Sequence, residues 1–261
     1  LTMSAHATLF TSDFGSLVPG YAANDDGSFP VTLPFSVNYF GTAHNTIYIN
    51  NNGNATFGSG TVAFSPSKLT TEDLQEMVAP YWTDLTSLSD PLGAIAAGTG
   101  GAGIYYNQLS PTQVVFTWDR RGYFGPDYSG RAQFQLVLND ASAIPSGEGV
   151  IGFFYGNVTP PATDQQVAIG VGDGLPSVNP GEIDVAFGPT STVAPAVSGQ
   201  SLWIGVPSVP PGQPGGLPEP APLALIGMGL AILTVTRSAP ACALRSSAAI
   251  ASHRCCANAP A

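Results

Sequence analysis

Charge is scarce in this sequence. Asp, Glu, Lys and Arg make up 9% of its 261 residues, against about 25% in an ordinary soluble domain, and Lys68 is the sole lysine. Long solvent-exposed helices draw on Glu, Lys and Arg, so that stock is too small for a mainly helical architecture. The surface must instead be covered by Ser, Thr, Asn, Gln and Gly, an extracellular style. Cysteine is missing from the body of the chain: Cys242, Cys255 and Cys256 all fall in the C-terminal tail. The body therefore folds without disulfides, which fits a reducing compartment or a bacterial secreted protein that relies on its core. Basic residues are few as well. Residues 8–206 hold sixteen of the 17 acidic groups against Lys68, Arg120, Arg121 and Arg131, a balance of −12. Such a domain repels phosphate, which sets aside nucleic acid and anionic membrane surfaces as partners. Histidine is rare too, and His44 alone lies in the body. With no G-x-S-x-G elbow to present a serine, His44 reads as a residue of a predicted turn and not as part of a catalytic triad.

What is present is punctuation and strand-forming sequence. The chain carries 31 Gly and 24 Pro. Between these breakers lie nine alternating or short apolar runs: residues 31–40, 46–49, 55–57, 103–106, 113–118, 131–138, 150–155, 166–171 and 201–204. Nine strands need two sheets or a barrel, and the expected fold is all-β, mostly antiparallel and sandwich-like, over residues 21–206. In the run from Ala132 to Leu138, Phe134, Leu136 and Leu138 are expected on one core face, with Gln133 and Gln135 in water. Asn50 to Asn54 reads as a hairpin, its Asn-Gly pair suited to the positive φ of a type I′ turn. One short helix is expected at residues 70–77, capped by Thr70 with Glu72 and Asp73 in its first turn. Trp82, Trp118 and Trp203 fall on segments that read as core.

Several of these pieces, taken in order, resemble the nidogen-like (NIDO) domain. They are Asn24-Asp-Asp-Gly-Ser28, the aromatic-rich stretch from Phe35 to Gly41, Ile47 to Phe57, Val78-Ala-Pro-Tyr-Trp-Thr-Asp84, Gly103 to Tyr106, Val114 to Trp118, Phe134 to Leu138 and Ile151 to Gly156. No single piece is specific; their order and spacing across residues 21–206 are. The family is an extracellular module of basement-membrane and tectorial-membrane proteins and of bacterial surface proteins. The resemblance implies a sandwich-like domain for adhesion or matrix contact, without a general catalytic role, and it names no ligand.

The two ends read differently from the body. Residues 1–20 form an N-terminal segment in which Ala5-His6-Ala7 has the small-x-small form of a signal-peptidase site, so a signal-peptide remnant to residue 7 is one expectation. After a Pro/Gly linker at 207–216 comes Pro218-Glu219-Pro220, an uncharged run from Ala221 to Val235, and Arg237. The run is shorter than the roughly 20 residues that span a bilayer comfortably as a helix, and the arginine would hold its end on the cytoplasmic side. Segment 217–237 thus reads as a C-terminal hydrophobic helix, and it resembles the PEP-CTERM sorting signal of Gram-negative bacteria. That resemblance implies a transient stay in the inner membrane, processing by an exosortase near Pro218-Glu219-Pro220, and delivery to the cell surface or an exopolysaccharide matrix. Residues 238–261 form a low-complexity tail, a departure from the short Arg-rich end of such signals.

Chemistry in the body offers few handles. Asn24-Asp25-Asp26-Gly27 and Gly172-Asp173-Gly174 present oxygen ligands suited to Ca²⁺, Asp25 and Asp26 being the metal candidates, although Asx-turns account for both segments without a metal. No other cofactor is expected. Gly98 to Gly103 fits G-x-G-x-x-G, yet it precedes a strand instead of opening a helix, so it reads as a loop. Two sequons, Asn54-Ala-Thr56 and Asn157-Val-Thr159, are expected by chance in a bacterial chain. Asp84 with Asp90, or Asp119 with Asp127, are the pairs a glycosidase would need. The leading expectation is a non-enzymatic, exported surface or biofilm-matrix adhesion protein that contacts extracellular polysaccharide or matrix protein. The alternatives are a secreted carbohydrate-active hydrolase using those paired aspartates, and a structural matrix protein without a specific ligand.

Overall fold

The computed structural model describes residues 9–71, 75–88, 102–125 and 130–205. Thirteen strands occur among them: β1 (Ser16–Leu17), β2 (Ser28–Tyr39), β3 (Thr42–Asn50), β4 (Asn54–Thr56), β5 (Met77–Trp82), β6 (Leu85–Thr86), β7 (Gly103–Ser110), β8 (Gln113–Tyr123), β9 (Arg131–Asn139), β10 (Ile151–Thr159), β11 (Gln166–Gly172), β12 (Ile183–Pro189) and β13 (Ser201–Ile204). A 3-10 turn (Leu69–Thr71) and helix α1 (Thr190–Val197) complete the list. The strands form two sheets, one ordered β1-β7-β8-β9-β10-β13 with β6 on β8, the other β12-β11-β5-β4-β3-β2. Every pairing is antiparallel. The expected all-β architecture is therefore present. The predicted C-terminal hydrophobic helix lies outside the described residues, and among those described no helix is long and apolar enough to cross a membrane.

Strand β2 shows why the sequence takes this form. Phe29, Val31, Leu33, Phe35, Val37 and Tyr39 alternate inward without a break, while Pro30, Thr32, Pro34 and Ser36 face out. The two prolines lack a donor N–H, which an edge strand tolerates and which discourages pairing with another chain; β2 is the edge of its sheet. Across the core lie Phe116, Trp118, Phe134, Leu136, Ile151 and Phe153. Trp118 and Phe134 stack with centroids 5.1 Å apart, a contact worth about 1 kcal/mol beyond area burial. Tyr155 on β10 donates its hydroxyl to the Pro80 carbonyl on β5 at 2.7 Å, pinning one sheet to the other.

Several expectations need correction. Gln135 is not in water but fully buried. Its amide donates to the Thr11 carbonyl (2.9 Å) and Thr117 Oγ1 (3.0 Å) and accepts from the Thr11 N–H, because the N-terminal segment runs over this outer face. Phe10 packs there on Phe154 and Trp203. Trp203 is accordingly half-buried beneath that segment, while Trp82 and Trp118 are core as expected. The helix expected at 70–77 shrinks to the 3-10 turn, and Met77 already belongs to β5; residues 72–74 lie outside the described set. Conversely α1 was unexpected. Its N-terminus is capped from elsewhere in the chain by Asp164, which accepts from the Ser191 N–H (2.7 Å), Ser191 Oγ (2.7 Å) and Thr190 Oγ1 (2.9 Å). Those bonds hold the Asp164 carboxyl below its ordinary pKa. His44, expected in a turn, sits on β3, paired with Glu76 at 2.7 Å and stacked on Phe57.

The hairpin at Asn50–Asn54 forms, but not with a type I′ turn. Asn50 faces Asn54 across three loop residues, and Gly53 alone among them has a left-handed backbone (φ +77°), the arrangement of a three-residue hairpin loop. Gly53 donates to Asn50 O at 3.3 Å and accepts from Tyr81 N at 3.1 Å, and a Cβ there would collide with the Tyr81 carbonyl. Gly53→Ala is accordingly expected to lose at least about 2 kcal/mol of stability. Urea denaturation measures this, and a loss under about 0.5 kcal/mol would show that the turn carries no such constraint.

Candidate functional site

The asparagine turn is buried: Asn50, Asn51, Asn52 and Asn54 are each at most 2% exposed. Buried amides call for partners; Asn50, Asn51 and Asn52 find them, those of Asn51 and Asn52 in distant segments, while Asn54 Nδ2 donates to no described residue. Asn50 Nδ2 donates to Asn54 Oδ1 (2.7 Å) and Thr56 Oγ1 (3.1 Å), and Trp118 Nε1 donates to the Asn50 carbonyl at 3.0 Å. Asn51 donates to the carbonyls of Asp25 and Leu85 and accepts from the Arg121 guanidinium. Asn52 Nδ2 donates to Asp26 Oδ1 at 2.9 Å, and Asn52 Oδ1 accepts from the Leu85 N–H at 2.9 Å.

Asn51 and Asn52 thereby draw the loop before β2 against the start of β6. Asp25, Asp26 and Asp84 meet there, each half-buried, with one carboxylate oxygen apiece lying within 4.8 Å of the others. Partial burial, and then the negative charges of Asp25 and Asp26, push the Asp84 carboxyl up to about 6. Asp25 Oδ1 is buried and accepts no hydrogen bond. Three carboxylates, one with an unengaged buried oxygen, are the donor set a hard divalent cation such as Ca²⁺ takes. Asp25 and Asp26 were legible from the Asn24–Gly27 segment; Asp84, which the sequence paired with Asp90, joins them instead.

The other candidates fall elsewhere. Asp173 spends its carboxylate on its own turn, accepting from Leu175 N and Asn179 Nδ2 at 2.9 Å each. Asp119 is buried and accepts from Gln133 Nε2 (2.6 Å) and Arg120 Nε (3.1 Å). Asp90, Asp127 and residues 98–101 lie outside the described residues, as do Pro218, Glu219, Pro220 and Arg237. Gly103 opens strand β7. Asn54 of the first sequon is fully buried, whereas Asn157 of the second is exposed.

Beside Asp84 runs a groove of about 240 Å³ lined by Phe64, Ser65, Pro66, Asp84, Gln165 and Gln166. Sequence reasoning missed it, because its walls come from three separate stretches with no shared motif. The segment bearing Phe64 is held by the Ala63 carbonyl, which accepts from Trp82 Nε1 (3.0 Å) and Asn52 Nδ2 (3.3 Å).

A family model described as NIDO related matches residues 2–200. Alpha-tectorin of Homo sapiens is 32% identical over 103 residues, which are 38% of this chain and 4% of that protein. Alpha-tectorin of Mus musculus is 31% identical over 103 residues, with the same coverage. No solved structure matches the chain.

The acidic trio has a signed consequence for stability. The folded pKa of Asp84, about 6, lies above the unfolded value of about 3.9. Its stabilising contribution is thus complete below about pH 4 and lost as pH rises through about 6. In divalent-free buffer, urea stability is expected to fall across that window. Asp84→Asn should remove part of the fall; an unchanged slope would mean that Asp84 titrates normally.

Proposed function

The chain belongs to the NIDO-related family, and on that premise we propose that it is an exported, non-enzymatic adhesion protein that contacts extracellular polysaccharide or matrix protein. The observation that carries this reading is the family match over residues 2–200, nearly the whole β body. That match and the likeness to alpha-tectorin point to an extracellular, adhesion-like domain. The matched stretch spans about 4% of the length of those relatives, so the contact made here is argued from this chain's own surface. A surface short of charge and rich in small polar side chains supports the reading. The test is retention: purified full chain should hold to surfaces coated with matrix protein or exopolysaccharide, and failure to hold to either would overturn the adhesive role.

The proposal extends to delivery. Pro218-Glu219-Pro220, the apolar run behind it and Arg237 are assigned to an exosortase in the inner membrane of a Gram-negative cell, with transient anchoring, cleavage near the motif and transfer to the surface. Support comes from the order of motif, short apolar run and arginine. The mature protein recovered from its host is expected by intact mass to end near Pro220; a chain retaining residues beyond it would remove this assignment.

Ca²⁺ is the ion proposed for Asp25, Asp26 and Asp84. Extracellular modules of this kind bind with Kd of roughly 0.1–1 mM, so millimolar Ca²⁺ should raise Tm and a chelator should reverse the gain. Asp84→Asn should abolish the response while leaving the metal-free protein at least as stable as the parent, since it relieves the repulsion. Equal Ca²⁺ responses in parent and variant would locate the ion elsewhere.

A further inference from the structure

We propose that the groove beside Asp84 binds one ring of a neutral glycan, an assignment that rests on the adhesive reading and names its ligand class. The first argument is size. At about 240 Å³ the space admits a single sugar ring but falls below the roughly 300 Å³ at which pockets for drug-sized ligands begin.

The second argument is the unused hydrogen-bonding capacity of its walls. Among the described residues no hydrogen bond engages the Ser65 hydroxyl, the Gln166 amide or the Asp84 carboxylate; the acidic trio uses one Asp84 oxygen, which leaves the second oxygen, with the hydroxyl and the amide, open to a ligand. Gln165, by contrast, is fixed: its Nε2 donates to the Phe124 carbonyl at 2.9 Å and its Oε1 accepts from Thr83 Oγ1 at 3.1 Å. That bracing gives the groove one wall already in place, and a preset wall lowers the entropic cost of binding. A hydroxyl, an amide and a carboxylate are complementary to sugar hydroxyl groups, which both donate and accept, and bonds to the carboxylate are the stronger for its charge.

The third argument is Phe64, which lines the groove although 51% exposed. A large apolar ring left open beside a few polar side chains is suited to the C–H face of a pyranose. Charge selects among glycans. Asp25, Asp26 and Asp84 all lie at this end of the sandwich, and the body carries a balance of −12, so uronates, sulfated and phosphorylated sugars are repelled. A lysine side chain from a protein partner would satisfy Asp84 but leave Ser65, Gln166 and the Phe64 face without a role. The neutral sugar uses all of them.

The experiment uses the full chain on an array of neutral, anionic and amino-sugar glycans and lysine-rich peptides, followed by calorimetric titration of the strongest neutral ligand, with and without Ca²⁺. Phe64→Ala and Gln166→Ala alter exposed side chains and should leave Tm unchanged. Each is expected to weaken binding about tenfold or more, the scale of one lost ring contact or one lost polar contact. Preference for anionic glycans, amino sugars or lysine-rich peptides would overturn the assignment, as would variants that bind like the parent. Retention on matrix-coated surfaces, measured on the same samples, separates the two claims. A chain that adheres without binding neutral glycans sinks the groove and leaves adhesion standing. One that binds glycans through Phe64 but does not adhere does the reverse.

Discussion

Most of this structure depends on the burial of four asparagines in one hairpin. An amide side chain taken out of water without partners costs on the order of 1–3 kcal/mol, and Asn50, Asn51, Asn52 and Asn54 are all nearly inaccessible. The fold engages Asn51 and Asn52 by bringing the loop before β2, the start of β6, the Ala63 segment and Arg121 of β8 to the same place. The turn thus couples the two sheets at one end of the sandwich, where a purely apolar contact would fix neither register nor orientation. Gly53 makes the approach feasible, since its lack of a side chain lets the hairpin tip lie against the Tyr81 carbonyl.

The same bonds explain why three carboxylates tolerate one another. Asn51 holds the Asp25 carbonyl and Asn52 the Asp26 carboxylate, while Asn52 Oδ1 takes the N–H of Leu85, the neighbour of Asp84. Engaging Asn51 and Asn52 places the acids together, and the raised pKa of Asp84 records its partial burial first and the charges of Asp25 and Asp26 second. Stability and ligand affinity are therefore linked. A cation at the trio, or hydroxyl donors at Asp84, would recover free energy that the folded protein otherwise forgoes at neutral pH.

The strands were legible because their signal is local. In β2 the inward set Phe29, Val31, Leu33, Phe35, Val37 and Tyr39 is written at period two, and a sandwich follows from the number of such runs. The misreadings share one cause, a partner distant in sequence. Gln135 reads as a solvent residue until Thr11 folds over it. Helix α1, with Pro195 inside it and no side-chain cap of its own, is held at its N-terminus by Asp164. His44 reads as a loop residue because its partner Glu76 lies across the sheet. The acidic site was half legible: Asp25 and Asp26 stand side by side in a turn motif, whereas nothing in the residues around Asp84 announces that it faces them. The groove left no trace, since Phe64, Asp84 and Gln166 share no spacing rule.

The location of the working surface follows from what the rest of the sandwich has closed. The N-terminal segment covers part of the outer face of one sheet, with Phe10 on Phe154 and Trp203 and Phe14 against Tyr105. On the other sheet, Leu69, Met77, Ala79, Trp82 and Ala168 form a second buried cluster, packed against Ala63. The β2 edge is blunted by Pro30 and Pro34. With these faces and this edge occupied, the loop end around the asparagine turn keeps both unspent hydrogen-bonding groups and uncompensated charge. Three acids gathered beside an exposed phenylalanine, on loops held by a buried polar network, are what the proposed recognition would draw on. That is the combination of rigid support and open chemistry that loop-borne binding requires.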